Sequence, residues 1–237
     1  MSPDEKAWQD IRLRIVAAAK AAGRDPGLIR VLAVSKGFPI QAIQTAYAIG
    51  QRAFGENYVQ EGAPKIAALA GLPGIEWHLI GPLQSNKARA AARTFTWVET
   101  IDRQQIAERL STACDPQLPP LNVCIQVNIS GETTKHGVAP SMALPLAREV
   151  GCLPGLSLRG FMGIAQAADD GGPVRSQFHV LRELYDAGRR EGLDLDTLSM
   201  GMSSDFEFAI AEGATQLRIG SALFGPRGPV ARARIDR

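Results

Sequence analysis

Short apolar runs and longer stretches of helical spacing alternate along the whole chain. Residues 31–34, Val-Leu-Ala-Val, form such a run. It carries no polar alternation, which marks a strand covered on both faces. Seven more candidate strands follow at 53–55, 77–80, 97–101, 123–127, 158–162, 197–200 and 217–219. Helical stretches separate them at 40–49, 59–70, 83–93, 103–114, 142–150, 174–191 and 205–212, and a further helix over 7–22 precedes the first strand. Gly23 and Gly50 close the first two helices, and Pro39 sits where a first helical turn accepts it. Strands that alternate with helices pair in parallel, and eight such units close into a barrel. The expected fold is α/β: a single (β/α)8 TIM-type barrel with an extra N-terminal helix, one domain over residues 1–237. An open doubly wound sheet competes, but no G-x-G-x-x-G follows the first strand.

Length agrees, since barrels of this kind run to about 250 residues. The segment 115–120, Asp-Pro-Gln-Leu-Pro-Pro, is too short to divide domains and reads as the lead-in to strand five. Gly171-Gly172-Pro173 reads as a loop before a helix.

Charge narrows the partners. With 26 basic and 24 acidic residues the net charge is +2, which leaves no electrostatic footprint for nucleic acid or an anionic membrane. Arg182, Arg189 and Arg190 read as a solvated helix face, and Arg227, Arg232 and Arg234 as a frayed tail. No run of about 18 apolar residues suggests a membrane span, and the start of the chain lacks a signal-peptide core. Cys114, Cys124 and Cys152 show neither CxxC spacing nor an even count, as expected of thiols in a reducing cytoplasm.

Active groups of a barrel lie at the C-terminal ends of its strands. There the chain places Lys36, Glu56-Asn57, residues 81–87, Asn128, Ser130, Lys135-His136, residues 200–205 and Gly220-Ser221. A lysine ending an apolar strand directs its amine into the barrel mouth, where desolvation and neighbouring cations lower its pKa and let it attack an aldehyde. A surface lysine snorkelling past the rim is the alternative. Gly201, Ser203 and Ser204 open a helix near Asp205, and Gly220-Ser221 offers further donors, so the loops after strands seven and eight suit a phosphate. Simple helix capping by Ser203 or Ser204 is the other reading. Amine plus phosphate site points to pyridoxal 5′-phosphate (PLP) or to a phosphorylated aldehyde or ketone.

These residues occur in segments that resemble the pyridoxal-phosphate homeostasis proteins, themselves similar to the barrel domain of alanine racemase. The segments are Ala33-Val34-Ser35-Lys36, Phe54-Gly55-Glu56-Asn57-Tyr58-Val59-Gln60-Glu61, residues 77–87, 127–132 with Lys135-His136-Gly137, Arg159-Gly160-Phe161-Met162, 198–205 and 218–225. The resemblance implies that Lys36 carries PLP as a Schiff base, that Ser203, Gly220 and Ser221 grip its phosphate, that Arg218 faces the pyridine nitrogen and that Asn57 lines the pocket. An always-charged guanidinium beside that nitrogen weakens the electron sink of the ring. A salt bridge within the mouth is the alternative role for Arg218. The chain departs from the family pattern at Ala165, often proline, and at Glu99-Thr100, often His-Ser, which bears on the pocket wall.

Other conspicuous residues have plain readings. His78 in a strand is a hydrogen-bonded core histidine, His179 a surface residue, and the Lys135-His136 loop is either a cover or a solvated loop. Trp77 and Trp97 pack between barrel and helices. Three scattered histidines with no companion at ligand spacing argue against a metal. A racemase needs acid–base groups on both faces of the substrate α-carbon. In alanine racemase the opposing tyrosine comes from a second domain, for which the chain leaves no room after Phe224-Gly225, while Tyr47, Tyr58 and Tyr185 fall on predicted helices. The function expected is a monomeric PLP carrier in vitamin B6 and amino-acid homeostasis, with PLP-accepting apo-enzymes as partners and without robust turnover. A PLP-dependent racemase and a Schiff-base aldolase are the alternatives.

Overall fold

The computed structural model describes residues 3–166 and 171–225. An N-terminal helix, α1 (Pro3–Ala21), precedes strand β1 (Arg30–Val34). The chain then alternates through α2 (Ile40–Ala48), β2 (Ala53–Glu56), α3 (Val59–Ala68), β3 (Glu76–Leu79), α4 (Ala88–Thr94) and β4 (Trp97–Ile101). It continues with α5 (Gln104–Ala113), β5 (Leu121–Val127), α6 (Pro140–Gly151), β6 (Leu156–Gly163), α7 (Gly171–Arg190), β7 (Thr197–Ser199), α8 (Phe206–Ala211), β8 (Gln216–Ile219) and α9 (Ser221–Phe224). The eight strands form a closed barrel in sequence order, every pair parallel. Closure comes from β1 lying beside β8, with Ala33 opposite Ile219. All eight predicted strands and the leading helix are present.

Alternate residues of each strand face opposite sides of the wall. Phe54, Trp77, Val98, Ile125, Phe161 and Leu217 belong to the large apolar cluster between barrel and helices, where they meet Ile43, Ile106, Leu110, Phe178 and Ile210. The neighbouring positions His78, Glu99, Ser199, Gln216 and Arg218 are just as buried but polar, and they line the barrel interior. A small separate cluster of Trp97, Cys124 and Met162 fills the rest of that interior.

The structure moves several expected features. Trp97 sits inside the barrel, stacked on His78 with ring centroids 4.9 Å apart, and not between barrel and helices like Trp77. A strand covered on both faces gives no sequence sign of which phase points inward. The helix expected over 83–93 begins only at Ala88, after a 3-10 turn at Ser85–Lys87, because Leu83 is drawn into the outer core as part of a loop. Gly171-Gly172-Pro173 forms the first turn of α7, where a proline forfeits no intrahelical N–H bond. Tyr58 lies outside a helix: it precedes α3 directly beyond β2 and is exposed. The short helix α9 was not anticipated. Arg182, Arg189 and Arg190 do lie on α7, pairing with Asp186, stacking on Tyr185 and bonding to the Asp186 carbonyl respectively. Arg227, Arg232 and Arg234 lie outside the described residues. No disulfide joins the three cysteines, and no described helix is long and apolar enough to cross a membrane.

Candidate functional site

Barrel closure assembles the rim. Strand β1 has β8 on one side and β2 on the other, with Val34 opposite Gly55. Lys36, Gly220-Ser221 and Asn57 follow the tips of these three neighbouring strands. Ser203 lies in the β7–α8 loop, one strand further round, and that loop is tied to β8 by the Arg218 N–H bonding the Gly201 carbonyl at 2.9 Å. The six predicted site residues thus occupy one arc from β7 to β2.

Local geometry explains the glycines of this arc. Gly201 has φ +91°, and a Cβ there would come 2.6 Å from that of Ala209, so only glycine allows the loop to fold onto α8. A Cβ at Gly81 would lie 2.2 Å from the Asn57 carbonyl, so the β3 loop leaves room for the backbone at Asn57. Gly220 differs. The three atoms nearest to a Cβ placed there all belong to Val34, from 3.4 Å outward, an ordinary van der Waals contact that a side chain would tolerate. Asp205 holds the N-cap position of α8, and its carboxylate accepts the Met202 N–H at 2.5 Å, so neither Ser203 nor Ser204 is the N-cap. Ser221 opens α9 and is exposed.

Lys36 is half-buried in a turn after β1, and the peptide groups on both sides of it run to one ionic cluster. Lys65 Nζ donates to the Ser35 carbonyl at 2.9 Å, to Glu56 Oε1 at 2.9 Å and to Glu61 Oε1 at 2.8 Å. Glu61 Oε1 also accepts the Gly37 N–H at 2.6 Å, and Glu56 Oε1 accepts the Ser35 hydroxyl at 2.6 Å. Burial pushes the Glu56 carboxyl up, against the pull of Lys65 and Ser35. Glu61 is less buried; there the bonds from Lys65 and Gly37 and the charges of Lys65 and Lys36 outweigh burial and hold it down.

Beneath the rim, polar side chains run down the barrel interior. Arg218 Nη1 donates to the Ser199 carbonyl at 2.7 Å and to its hydroxyl at 2.8 Å, and Nη2 donates to the Gly163 carbonyl at 2.8 Å. These bonds go to neutral oxygens, and among the described residues Arg218 makes no direct salt bridge, its alternative reading; Glu99 is linked to it through Ser199. Glu99 accepts from Ser199 Oγ at 2.6 Å and Gln216 Nε2 at 2.8 Å, and bonds His78 Nδ1 at 2.6 Å. Burial alone would raise the Glu99 carboxyl, but its bond to His78 and the charges of His78 and Arg218 leave it below the usual carboxylate range. His78 is the core histidine its strand position suggested.

Two groups stand apart from the arc. Lys135 pairs with Glu132 at 2.6 Å and reaches the Ala165 carbonyl at 3.4 Å, closing the β5–α6 loop onto itself and onto the end of β6. His136 and His179 are exposed. The sequence reading missed Lys65, met Glu61 only as the last residue of a family segment with no role given to it, and assigned Glu99 only to a pocket wall. A charged residue in phase with His78 inside an apolar strand was the available signal for Glu99. For Lys65 the signal was faint: a lysine four residues after Glu61 on an otherwise apolar helix.

Residues 9–228 match the family model of the alanine racemase N-terminal domain. A pyridoxal phosphate homeostasis protein of Pseudomonas aeruginosa is 52% identical over 217 residues, 92% of this chain and 93% of the relative. The structure of PipY from Synechococcus elongatus with PLP bound superposes with a TM-score of 0.77 at 37% identity, covering 89% of this chain and all of that one, 100%. Alanine racemase of Corynebacterium glutamicum shares the fold, with a TM-score of 0.64 at 18% identity, and this chain spans 61% of its length. Motifs, barrel and relatives agree: the chain belongs to the alanine racemase N-terminal domain family, among the members named pyridoxal phosphate homeostasis proteins.

Proposed function

We propose that this protein binds PLP as a Schiff base on Lys36 and serves intracellular PLP and amino-acid homeostasis as a carrier. The observation that carries the reading is the arc itself: a half-buried lysine just beyond β1, with Gly220-Ser221 beyond the neighbouring strand β8 and Asn57 beyond β2. The donor set suits the group. Ser203, Ser221 and the Gly220-Ser221 backbone supply neutral donors for a phosphate, Asn57 borders the lysine from β2, and Arg218 offers its guanidinium from below. Bound PLP supplies an aldehyde carbon that exchanges amines and a pyridine ring that withdraws electrons. Arg218 is fixed by three oxygens, and its permanent charge would disfavour a proton on the ring nitrogen and so would restrain that withdrawal. Lys36 serves one face of the site. Tyr47 bonds the Pro73 carbonyl and Tyr185 the Leu195 carbonyl, so neither stands ready as an acid on the other face. Tyr58 is exposed beside Asn57 just beyond β2, so the preference for carriage with little turnover rests on Tyr47 and Tyr185 and is decided by the turnover assay. The reading includes a single domain, a monomer, a cytoplasmic location and delivery of PLP to apo-enzymes.

The test is a visible spectrum of purified protein with excess PLP beside Lys36→Ala. Wild type gains imine absorbance and, after borohydride, a fixed mass at Lys36; the variant gains neither. Absence of both signals in wild type refutes the reading. Turnover of single-enantiomer amino acids at ordinary enzyme rates, about 1–1000 per second, would instead establish a racemase.

A further inference from the structure

We infer that Glu99 is a positioning residue for Arg218: acting through the Ser199 hydroxyl, it holds the guanidinium in the orientation offered to bound PLP. The inference deepens the reading of Arg218 as the residue that faces the cofactor ring, and rests on it.

The direction of each hydrogen bond makes the case. Ser199 Oγ has three polar neighbours: Glu99 Oε2 at 2.6 Å, Arg218 Nη1 at 2.8 Å and Gln216 Nε2 at 3.2 Å. The two nitrogens only donate, so the single hydroxyl proton goes to Glu99 and the oxygen lone pairs are left for Arg218 and Gln216. Gln216 Nε2 also donates to Glu99 Oε1 at 2.8 Å, which fixes that amide the same way round. A carboxylate at position 99 therefore decides which way the hydroxyl points. The hydroxyl is in turn one of three acceptors that hold the guanidinium, the others being the Ser199 and Gly163 carbonyls. These bonds use both Nη1 protons and one Nη2 proton, which leaves Nε–H and the second Nη2–H for other partners. Glu99 and Ser199 are fully buried and Arg218 is 5% exposed, so bulk water does not compete for the three bonds. Asp205, the other carboxylate whose charge reaches Arg218, is taken up by the Met202 N–H at the start of α8. Buried charges are a poor route to stability, because desolvation offsets their attraction. Here they give the guanidinium a fixed direction.

The experiment follows the Arg218 guanidinium by NMR in the full chain carrying isotope-labelled arginine, with Arg218→Lys identifying its signals. Exchange of Nη1 with Nη2 requires rotation about the Nε–Cζ bond, so its rate reports how firmly the three oxygens hold. Imine absorbance with added PLP is measured separately. In Glu99→Gln the amide nitrogen takes the place of Oε2, since the Oε1 place is already shared by Gln216 and His78. Ser199 then faces donors only, and its proton has no acceptor. In protein free of cofactor, Glu99→Gln and Ser199→Ala are each expected to speed the exchange about tenfold, the worth of one hydrogen bond to a charged group. The double variant is expected to match the single ones, because Glu99 acts through the hydroxyl that Ser199→Ala removes; independent structural roles would multiply instead. Added PLP is expected to shift the Arg218 Nε–H signal in wild type. Exchange at the wild-type rate in Glu99→Gln overturns the proposal, as do multiplied effects in the double variant. So does a gain of imine absorbance that leaves the Arg218 signals unmoved. Should Glu99→Gln fail to fold, Glu99→Asp is read in its place: it draws the carboxylate one carbon back from Ser199, and an unchanged rate there is equally fatal. Faster exchange in a protein that gains no imine absorbance sustains the link through Ser199 and sinks the cofactor reading. Unchanged exchange with normal absorbance does the reverse.

Discussion

The two sides of the barrel wall are built from the same strands and obey different rules. On the outer side Phe54, Trp77, Ile125, Phe161 and Leu217 meet the helices in one continuous apolar layer. On the inner side, one residue along in each direction, His78, Glu99, Ser199, Gln216 and Arg218 form a column joined by hydrogen bonds. Both layers exclude water. The outer one is stabilised by area and dispersion, which have no direction, so residues of similar volume can replace one another. The inner one depends on donors meeting acceptors, because an unpaired polar group away from water costs about 1–3 kcal/mol; His78 Nε2, with Glu76 3.7 Å away, is the exception in the column. Chemical identity is therefore fixed inside the barrel, next to Arg218, and shape is fixed outside it.

Deletions should damage both sides heavily. Phe161→Ala is expected to lose about 3–5 kcal/mol to the cavity it leaves. Glu99→Leu is expected to lose a similar amount, about 3–5 kcal/mol, by stranding the donors of Ser199 and Gln216 and the charge of Arg218. Urea midpoints report both. Near-isosteric exchanges should then separate the layers. Glu99→Gln turns one acceptor into a donor and should cost about 1–3 kcal/mol despite unchanged volume.

That cost should depend on pH. The Glu99 carboxyl lies below its unfolded value, so its stabilisation is complete above the ordinary carboxylate range and is lost as pH falls through the lower, folded value. The gap between wild type and Glu99→Gln should be widest near neutrality and close in acid; a gap constant down to the acid limit would show that Glu99 is not held as a carboxylate. The smallest effect belongs outside. Ile125→Leu should cost less than about 1.5 kcal/mol and leave any imine absorbance unchanged. A larger loss there than in Glu99→Gln would erase the contrast.

The same contrast explains what the sequence could tell. The strands were legible because their runs are apolar throughout, as at 31–34, or nearly so, as at 123–127 where only Gln126 is polar, which suits strands covered on both sides. That continuity hid the phase, so Trp97 was placed outside the wall when it lies inside against His78. The rim lysine and the loops after β7 and β8 were legible because a charge or a glycine-serine pair at a strand tip breaks the pattern. The cluster around Lys65 was not. Its contact with the Ser35 carbonyl joins residues 30 positions apart, and no local spacing announces it. Helix starts were the least readable: α4 begins late because Leu83 is taken up by the core, and α7 begins early because a proline is harmless in a first turn.

Closure of β1 against β8 also orders events during synthesis. Ribosomes deliver Lys36 early and Ser221 late, yet the two emerge side by side in the finished wall. Until β8 arrives, the nascent chain carries a naked edge on β1, open to mispairing and to chaperones. Any small molecule that needs both loops for its grip can be retained only once β8 has been translated and paired with β1. In such an architecture, holding a ligand between these loops would report that the barrel has closed.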